Sequence, residues 1–387
     1  MDRRTVAIGR LAPLLGIGAA TATAHIGNNF DTYLIGGLND RYGFTPLAMG
    51  AWNMAEALAY AMAMFVVAPR VGTLAPRRLF VVASGLIVTA QIGSAGLSAY
   101  APLLAARIVA GLGFGLANTA LNLAAARAEH PARAISIGIA IQTLLYAAIN
   151  IVLPQLGARY GVAAMFVALG GLSGLFTLAA RLLPASPPVR ASQTTSAPQT
   201  PAWSGRADVW VLLAMALFTF GSLAIWPFTE RAAHAIAIPA TQFGRYQSLA
   251  TLASAASNLV LAAGVARMRR SGLLAGALVA CGLACAGLTT ATGAFTFAAA
   301  LLVYNASWFV TYALLLGIAF AVDPAGRLAV RCSAVWLTMM SLGSLATGAI
   351  AQIFGGYTAV GPMGLAFCLV ALGIVWPLAR RMDRARA

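Results

Sequence analysis

The sequence predicts an all-α polytopic membrane protein of about twelve transmembrane helices, from its composition and from the length of its apolar runs. Of its 387 residues, 60% are hydrophobic and only 9% are charged, whereas a soluble domain carries about 25% charged residues. Apolar runs of about 20 residues, each long enough to cross a hydrocarbon core of about 30 Å, recur along almost the whole chain. Membrane β-strands alternate apolar and polar residues, which these runs do not, so helices are the predicted spanning element.

The placement of the arginines supports this division and predicts an orientation. The predicted spans are residues 11–37, 45–68, 79–99, 101–124, 134–154, 161–183, 208–230, 241–266, 272–293, 295–321, 330–353 and 359–379. All 25 basic residues are arginine, and the loops on one side of the membrane hold only Arg41, Arg159, Arg231 and Arg245, whereas the other side holds twenty. The positive-inside rule therefore places both termini in the cytoplasm, as expected for a bacterial inner-membrane protein. The net charge of +16 reports this orientation, and no nucleic acid partner is expected.

The N-terminus has an alternative interpretation as a cleaved signal peptide. Arg3 and Arg4 precede an apolar stretch and the small residues 22–24, which is the pattern of such a peptide. Cleavage would remove most of the first span and leave an odd number of helices. We therefore expect the first span to be retained.

Two absences argue against a cofactor-dependent enzyme. The four cysteines fall inside predicted spans without the spacing of a metal site, so we expect them to be small core residues: Cys281, Cys285, Cys332 and Cys368. The chain contains no lysine, which excludes a phosphate-binding loop of the Gly-x-x-x-x-Gly-Lys type. No metal, cofactor or enzymatic activity is expected.

The chain divides into two related halves. Residues 184–207 are rich in Pro, Ser, Thr and Gln and predict a cytoplasmic linker between six-helix bundles at 1–183 and 208–387. The sequence 44–50 that opens the second span (FTPLAMG) resembles the sequence 238–244 that opens the eighth (IPATQFG). Two parallel six-helix repeats with a site near the midplane are a known membrane-protein plan.

The fourth span carries a motif with a family resemblance. Leu103-x-x-x-Arg107-x-x-x-Gly111-x-Gly113-x-Gly115 resembles the Arg-and-glycine motif of the major facilitator superfamily. The exporter motif of the fifth span is present only in part, as Asn150-x-x-x-Pro154-x-x-Gly157, and the loop after the second span keeps Gly72 and Arg77-Arg78 without the family's Asp. The resemblance covers essentially the whole chain and extends to bacterial proton-coupled efflux-type members, while the partial exporter motif leaves the direction of transport open. It implies a secondary transporter that works by alternating access, with Arg107 acting in proton coupling through first-half carboxylates.

Four ionisable residues inside spans are candidates for proton coupling, because a charge in hydrocarbon costs about 2.5–3.5 kcal/mol on insertion scales. Glu56, near the middle of the second span, is the first choice, since a carboxylate that moves between dry and wet surroundings can take up and release a proton. Its alternative is a structural role as a protonated Glu that is hydrogen-bonded to a neighbouring helix. Asp31 serves either as a second coupling carboxylate or as a structural partner. His25 either binds a proton or substrate or is a buried, neutral histidine. Arg107 needs acceptors for its five donors, and we expect it to face Asp31 or Glu56 in one state and to leave it in another.

Uncharged polar and aromatic side chains are candidates for binding a substrate. In the first half these are Asn28, Asn29, Asn118 and Gln142; in the second half they are Trp226, Tyr246, Asn305, Trp308, Tyr312 and Trp336. Pockets with few polar anchors suit amphipathic or aromatic ligands, although each polar group also suits packing between helices and Trp226 suits the interfacial belt. Glu230 and Arg231 are expected to form a solvated pair at the outer end of the seventh span.

The functional expectation is a monomeric transporter in the lipid bilayer whose partners are protons and a small molecule. Antiport that exports a small amphipathic or aromatic drug or metabolite is preferred. Uptake of a small organic anion by symport, with Arg107 or His25 holding the anion, is the alternative within transport. Outside transport, a non-transporting membrane receptor has no need for Glu56, Asp31 and Arg107 in the membrane, and an intramembrane enzyme lacks a nucleophile with a base.

Overall fold

The fold is all-helical in the computed structural model, which describes residues 3–128, 131–185, 206–264, 269–323 and 327–384. Those residues contain no β-strand. Their α-helices are Arg3–Tyr42 (α1), Pro46–Val67 (α2), Pro76–Ala95 (α3), Tyr100–Ala125 (α4), Pro131–Tyr160 (α5), Val162–Thr177 (α6), Ala207–Leu223 (α7), Thr229–His234 (α8), Ala240–Gly264 (α9), Arg270–Thr290 (α10), Ala294–Val322 (α11), Arg327–Phe354 (α12) and Val360–Arg384 (α13). The predicted linker at 184–207 lies largely outside the described residues.

Ten segments of the described chain are long and apolar enough to span a membrane. The other two predicted spans correspond to the long helices α1 and α9, and α9 begins with the polar residues Gln242, Arg245 and Gln247. Large apolar side chains cover the outer surface, as a lipid environment requires: Phe295 is 86% exposed and Ile353 is 76% exposed. The prediction of an all-α polytopic membrane fold is confirmed.

The chain packs as two compact units. The first unit holds residues 1–44 and 55–193, and the second holds residues 45–54 and 194–387. In the first unit α1 packs on α5 and α3 packs on α4 and α6; in the second unit α7 packs on α12 and α10 packs on α11 and α13. When α7 and α8 are counted as one span, the first and fifth spans of each unit pack together, and so do the third span and the fourth and sixth spans. Each unit therefore repeats the packing of the other.

The starts of α3 and α10 each donate to an acceptor from a distant part of their own unit. In the first unit the backbone N–H of Arg77, in the first turn of α3, donates to the Pro184 carbonyl (3.2 Å). In the second unit the backbone N–H groups of Arg270 and Ser271 donate to the two carboxylate oxygens of Asp383, each at 3.0 Å. Asp383 thus satisfies two of the N–H groups that a helix start leaves without partners and ties the start of α10 to the end of α13.

The seventh span is interrupted, which corrects the prediction of a continuous helix at 208–230. α7 ends at Leu223, a short 3₁₀ turn covers Trp226–Phe228, and α8 begins at Thr229. Pro227 has no N–H and restricts the backbone of the residue before it, so it interrupts helical hydrogen bonding here. The carbonyl of Ser222 near the break accepts a hydrogen bond from the Tyr304 hydroxyl (2.9 Å), which keeps the interrupted backbone satisfied inside the bundle.

Candidate functional site

The centre of the first unit holds a buried cluster of three charges. The Arg107 guanidinium pairs with both the Asp31 carboxylate and the Glu56 carboxylate, with 2.7 Å between Arg107 Nη2 and Glu56 Oε2. Asp31, Glu56 and Arg107 are 0%, 1% and 2% exposed. The structure therefore brings together three of the four predicted coupling residues, one each from α1, α2 and α4.

Glycines on two helices make the close approach of the cluster possible. A Cβ at Gly111 of α4 would collide with the Glu56 carbonyl, and one at Gly115 would collide with the Tyr60 carbonyl. A Cβ at Gly27 of α1 would lie 2.8 Å from Glu56 Oε1 and would overlap the Phe114 ring. The glycines of the fourth-span motif thus bring the backbone of α4 against α2, and Gly27 leaves room for the Glu56 carboxylate.

The cluster has more acid than base, since two carboxylates share one guanidinium. A buried ion pair is tolerated only where the two charges compensate one another and their hydrogen bonds are satisfied. One of the two carboxylates can therefore be neutralised by a proton or by another cation in place of the guanidinium. Chemically, the arrangement can bind and release a single positive charge.

Three polar side chains of α1 are less buried than the cluster itself. His25, Asn28 and Asn29 are half-buried, and the Asn29 side-chain amide donates to the His25 carbonyl at 2.8 Å. The His25 ring lies 6.3 Å from the Tyr60 ring, between centroids. Sequence reasoning missed Tyr60, and its position one helical turn after Glu56 was the available signal.

Asn118 and Gln142, the other predicted binding residues of the first unit, are both half-buried. Asn118, half-buried, lies with its amide 3.4 Å from the sulfur of Met64. Gln142 is half-buried on α5. Deeper in the unit, the Tyr33 hydroxyl donates to Asn150 Oδ1 at 3.0 Å. Asn28 and Asn29 lie next to His25 on α1, and the Asn118 amide faces Met64.

Aromatic rings form a continuous group in the second unit. The Trp308 ring stacks on Tyr312 with 5.3 Å between centroids, and Trp336 lies 6.5 Å from Trp308 and 5.9 Å from Tyr312. The Trp308 indole N–H donates to the Ser222 hydroxyl at 3.1 Å. Three of the predicted substrate-binding residues therefore form one aromatic cluster, next to the break in the seventh span.

The remaining predicted residues of the second unit lie in pairs. Trp226, half-buried, stacks on Tyr304 with 6.2 Å between centroids. The Gln242 amide donates to the Tyr246 hydroxyl. Asn305 accepts a long hydrogen bond of 3.4 Å from Gln247, a residue that sequence reasoning did not select.

Glu230 and Arg231 correct a further expectation, since they are not a solvated pair. They are 2% and 9% exposed, and Arg231 Nε donates to Glu230 Oε2 at 2.7 Å. The reason is the helix break at Pro227, after which α8 turns this pair into the protein. The ring of Tyr357, in the loop between α12 and α13, lies 5.4 Å from that of Phe228, and burial raises the pKa of Tyr357 to about 12, with Arg231 opposing and Glu230 adding to the increase.

The four cysteines are buried and form no disulfide bond. Among the described residues no three His, Cys, Asp or Glu side chains are grouped so that they could hold a metal ion.

Comparisons with known proteins identify this arrangement of helices. A family model described as Major Facilitator Superfamily matches residues 16–347. No curated protein sequence matches significantly. A mutant of the nucleoside transporter NupG is 12% identical, with a TM-score of 0.74 over 95% of this chain and 99% of that chain.

Two further solved structures share the fold. The D-xylose-proton symporter is 16% identical, with a TM-score of 0.70 over 95% of this chain and 97% of that chain. A bacterial homolog of the human lysosomal transporter Spinster, inward-facing and unoccupied, is 13% identical, with a TM-score of 0.69 over 99% of both chains. At these identities the likeness shows the fold alone.

Proposed function

Because this chain belongs to the major facilitator superfamily and is a multi-pass membrane transporter, we propose that it is a proton-coupled antiporter that exports a small amphipathic or aromatic compound. The observation that carries the proposal is the buried cluster of Arg107, Asp31 and Glu56. Its location in a bacterial inner membrane, with both termini cytoplasmic and the chain working as a monomer, belongs to the same proposal.

The cluster supports proton coupling through its charge balance. An uncompensated charge inside a helix bundle is costly, so Glu56 can leave Arg107 only if its carboxylate binds a proton or another cation. When Arg107 returns, its guanidinium replaces that cation. Alternation between these two pairings couples proton uptake to the position of Arg107, which lies on α4 while its partners lie on α1 and α2. One of the structures that share this fold is a D-xylose-proton symporter, so the fold is compatible with proton coupling.

The substrate class is supported by the second unit. Trp308, Tyr312 and Trp336 present ring surfaces with few polar anchors, which suits aromatic and amphipathic ligands. The same rings can attract a cationic group through their π faces. A non-transporting receptor has no use for the three buried charges, which each cost free energy to keep.

Export in exchange for protons is preferred over uptake of an organic anion. An anion would need a cation with free donors, and the Arg107 guanidinium already faces two carboxylates. Binding an anion there would add a third negative charge to a cluster that has an excess of acid. A cationic or neutral compound meets no such repulsion.

The test is a proton-flux measurement in proteoliposomes. Purified protein is reconstituted with a pH-sensitive dye trapped inside, and amphipathic cations, aromatic acids and neutral metabolites are added in turn. We expect at least one amphipathic or aromatic compound to move protons in the direction opposite to its own movement, and Glu56→Gln to abolish that flux. Proton movement in the same direction as an anionic compound would overturn antiport in favour of symport.

A further inference from the structure

The carboxylates of the charge cluster are separated from water on all sides. Asp31 is 0% exposed and Glu56 is 1% exposed, and both face the Arg107 guanidinium. A proton that reaches Glu56 must therefore pass through another side chain or an ordered water molecule. The groups able to pass it are titratable side chains or hydroxyls that lie next to the cluster.

Two tyrosine hydroxyls of the first unit are committed to structural hydrogen bonds. The Tyr33 hydroxyl donates to Asn150 Oδ1 at 3.0 Å, and the Tyr146 hydroxyl of α5 donates to the Ala22 carbonyl at 2.6 Å. Each of these bonds fixes the phenol proton on a stationary acceptor. They hold α1 against α5 and do not point to a proton path.

His25 and Tyr60 are placed differently. His25 keeps part of its surface exposed, whereas Tyr60 is 2% exposed, and their rings are 6.3 Å apart between centroids. Tyr60 follows Glu56 by four residues, so the two side chains lie on one face of α2. Exposure therefore falls in the order His25, Tyr60, Glu56.

We propose that His25 and Tyr60 carry protons between water and Glu56, an inference that rests on the proposed proton coupling. A neutral imidazole accepts a proton from water and becomes imidazolium. The imidazolium then gives a proton to the Tyr60 oxygen, directly or through one water molecule, while the Tyr60 hydroxyl gives its own proton to the Glu56 carboxylate. One proton has moved, Tyr60 is neutral before and after, and rotation of its hydroxyl restores the starting arrangement.

Titratable groups of three other helices lie around this part of α1. Tyr60 of α2 faces the His25 ring, the Tyr146 hydroxyl of α5 donates to the Ala22 carbonyl, and Arg107 of α4 pairs with Asp31 of α1. Tyr60 is a positioning and relay residue, and the group that binds the transported proton is Glu56.

The test measures protonation of Glu56 and uses the proton alone as the probe. Full-length protein in detergent or nanodiscs is taken by a rapid jump from about pH 9 to about pH 5, a range that spans the ordinary carboxylate and imidazole transitions. The infrared C=O band of a protonated carboxyl is followed with time, and the part missing in Glu56→Gln is assigned to Glu56. We expect Tyr60→Phe and His25→Ala to lower the rate at which this band appears at least about tenfold, as removal of a proton-transfer group does. The matched control Tyr33→Phe should leave that rate unchanged.

Chemical rescue separates a relay from a structural role. If the His25 ring only carries protons, free imidazole added to His25→Ala should restore the rate of Glu56 protonation. In wild type, the relay should make protonation of Glu56 slower in heavy water than in ordinary water. The relay is overturned if Tyr60→Phe protonates Glu56 at the wild-type rate, or if imidazole fails to restore His25→Ala. If wild type and Glu56→Gln give identical bands, Glu56 takes up no proton and the proposed coupling itself fails, which is a different result from failure of the relay.

Discussion

Replacing Arg107 by Gln is predicted to destabilise the protein strongly, and neutralising its partners is predicted to restore it. The variant leaves Asp31 and Glu56 buried, close together and without a compensating cation. Removing one partner of a buried ion pair costs about 3–5 kcal/mol, mainly because an uncompensated charge stays behind. The triple variant Arg107→Gln, Asp31→Asn, Glu56→Gln carries no charge at the site, so most of this loss should return.

Arg107→Lys is the matched control for charge. A lysine ammonium is a point charge that cannot reach two carboxylates with the planar geometry of a guanidinium. It should therefore lie between wild type and Arg107→Gln in stability. The order expected is wild type, then Arg107→Lys, then Arg107→Gln, with the triple variant close to wild type.

The assay is the fraction of monodisperse protein that survives heating, measured by size-exclusion chromatography in one detergent. The midpoint temperature of each variant gives the order of stability. If Arg107→Gln survives heating as wild type does, the three charges do not interact in the folded protein. If the triple variant is no more stable than the single variant, the loss comes from packing and the charge argument is wrong.

Three further predictions concern single side chains. Gly111→Ala should lower the yield of folded protein, because its Cβ would collide with the Glu56 carbonyl. The control Gly85→Ala, whose Cβ would meet no atom within 4 Å, should leave the yield unchanged, and equal yields of the two variants would refute the close approach of α4 to α2. Asp383→Ala should cost about 1 kcal/mol, typical of a lost helix cap, measured as a lower midpoint of unfolding, and an unchanged midpoint would contradict the cap. Burial raises the pKa of Tyr357 from 10.0 to about 12, so its contribution to stability is complete below about pH 10 and is lost as pH rises towards about 12. Alkaline unfolding of Tyr357→Phe should therefore begin at a higher pH than that of wild type, and an unchanged onset would contradict this placement.

The number and type of the helices were predictable because the membrane leaves little choice. Every backbone group must be satisfied within a span, so length and apolar composition decide the element. The predicted tenth span, 295–321, differs from the observed Ala294–Val322 helix by one residue at each end. The break before α8 was not predicted, although Pro227 marks it, because the hydropathy of the surrounding residues is continuous.

The charged residues of the site were predictable for the same reason, since a charge inside a span is rare and costly. Arg107 was expected to face Asp31 or Glu56, whereas its pairing with both at once depends on how α1, α2 and α4 pack, which a sequence does not state. Tyr60 was missed because a tyrosine in a span is unremarkable until its distance to His25 is known. Glu230 and Arg231 were misplaced because a pair near a predicted helix end normally faces water, and only the fold shows α8 turning inward.

Proton coupling through Glu56 is tested most directly by comparing two transport modes of one variant in proteoliposomes, using a compound that drives proton flux in wild type. Glu56→Gln is a neutral isostere, so it should still exchange labelled for unlabelled compound across a membrane without a gradient, and it should fail to move the compound against its gradient when a pH difference is imposed. Transport driven by the pH difference at the wild-type rate in Glu56→Gln would contradict the assignment of the transported proton to Glu56.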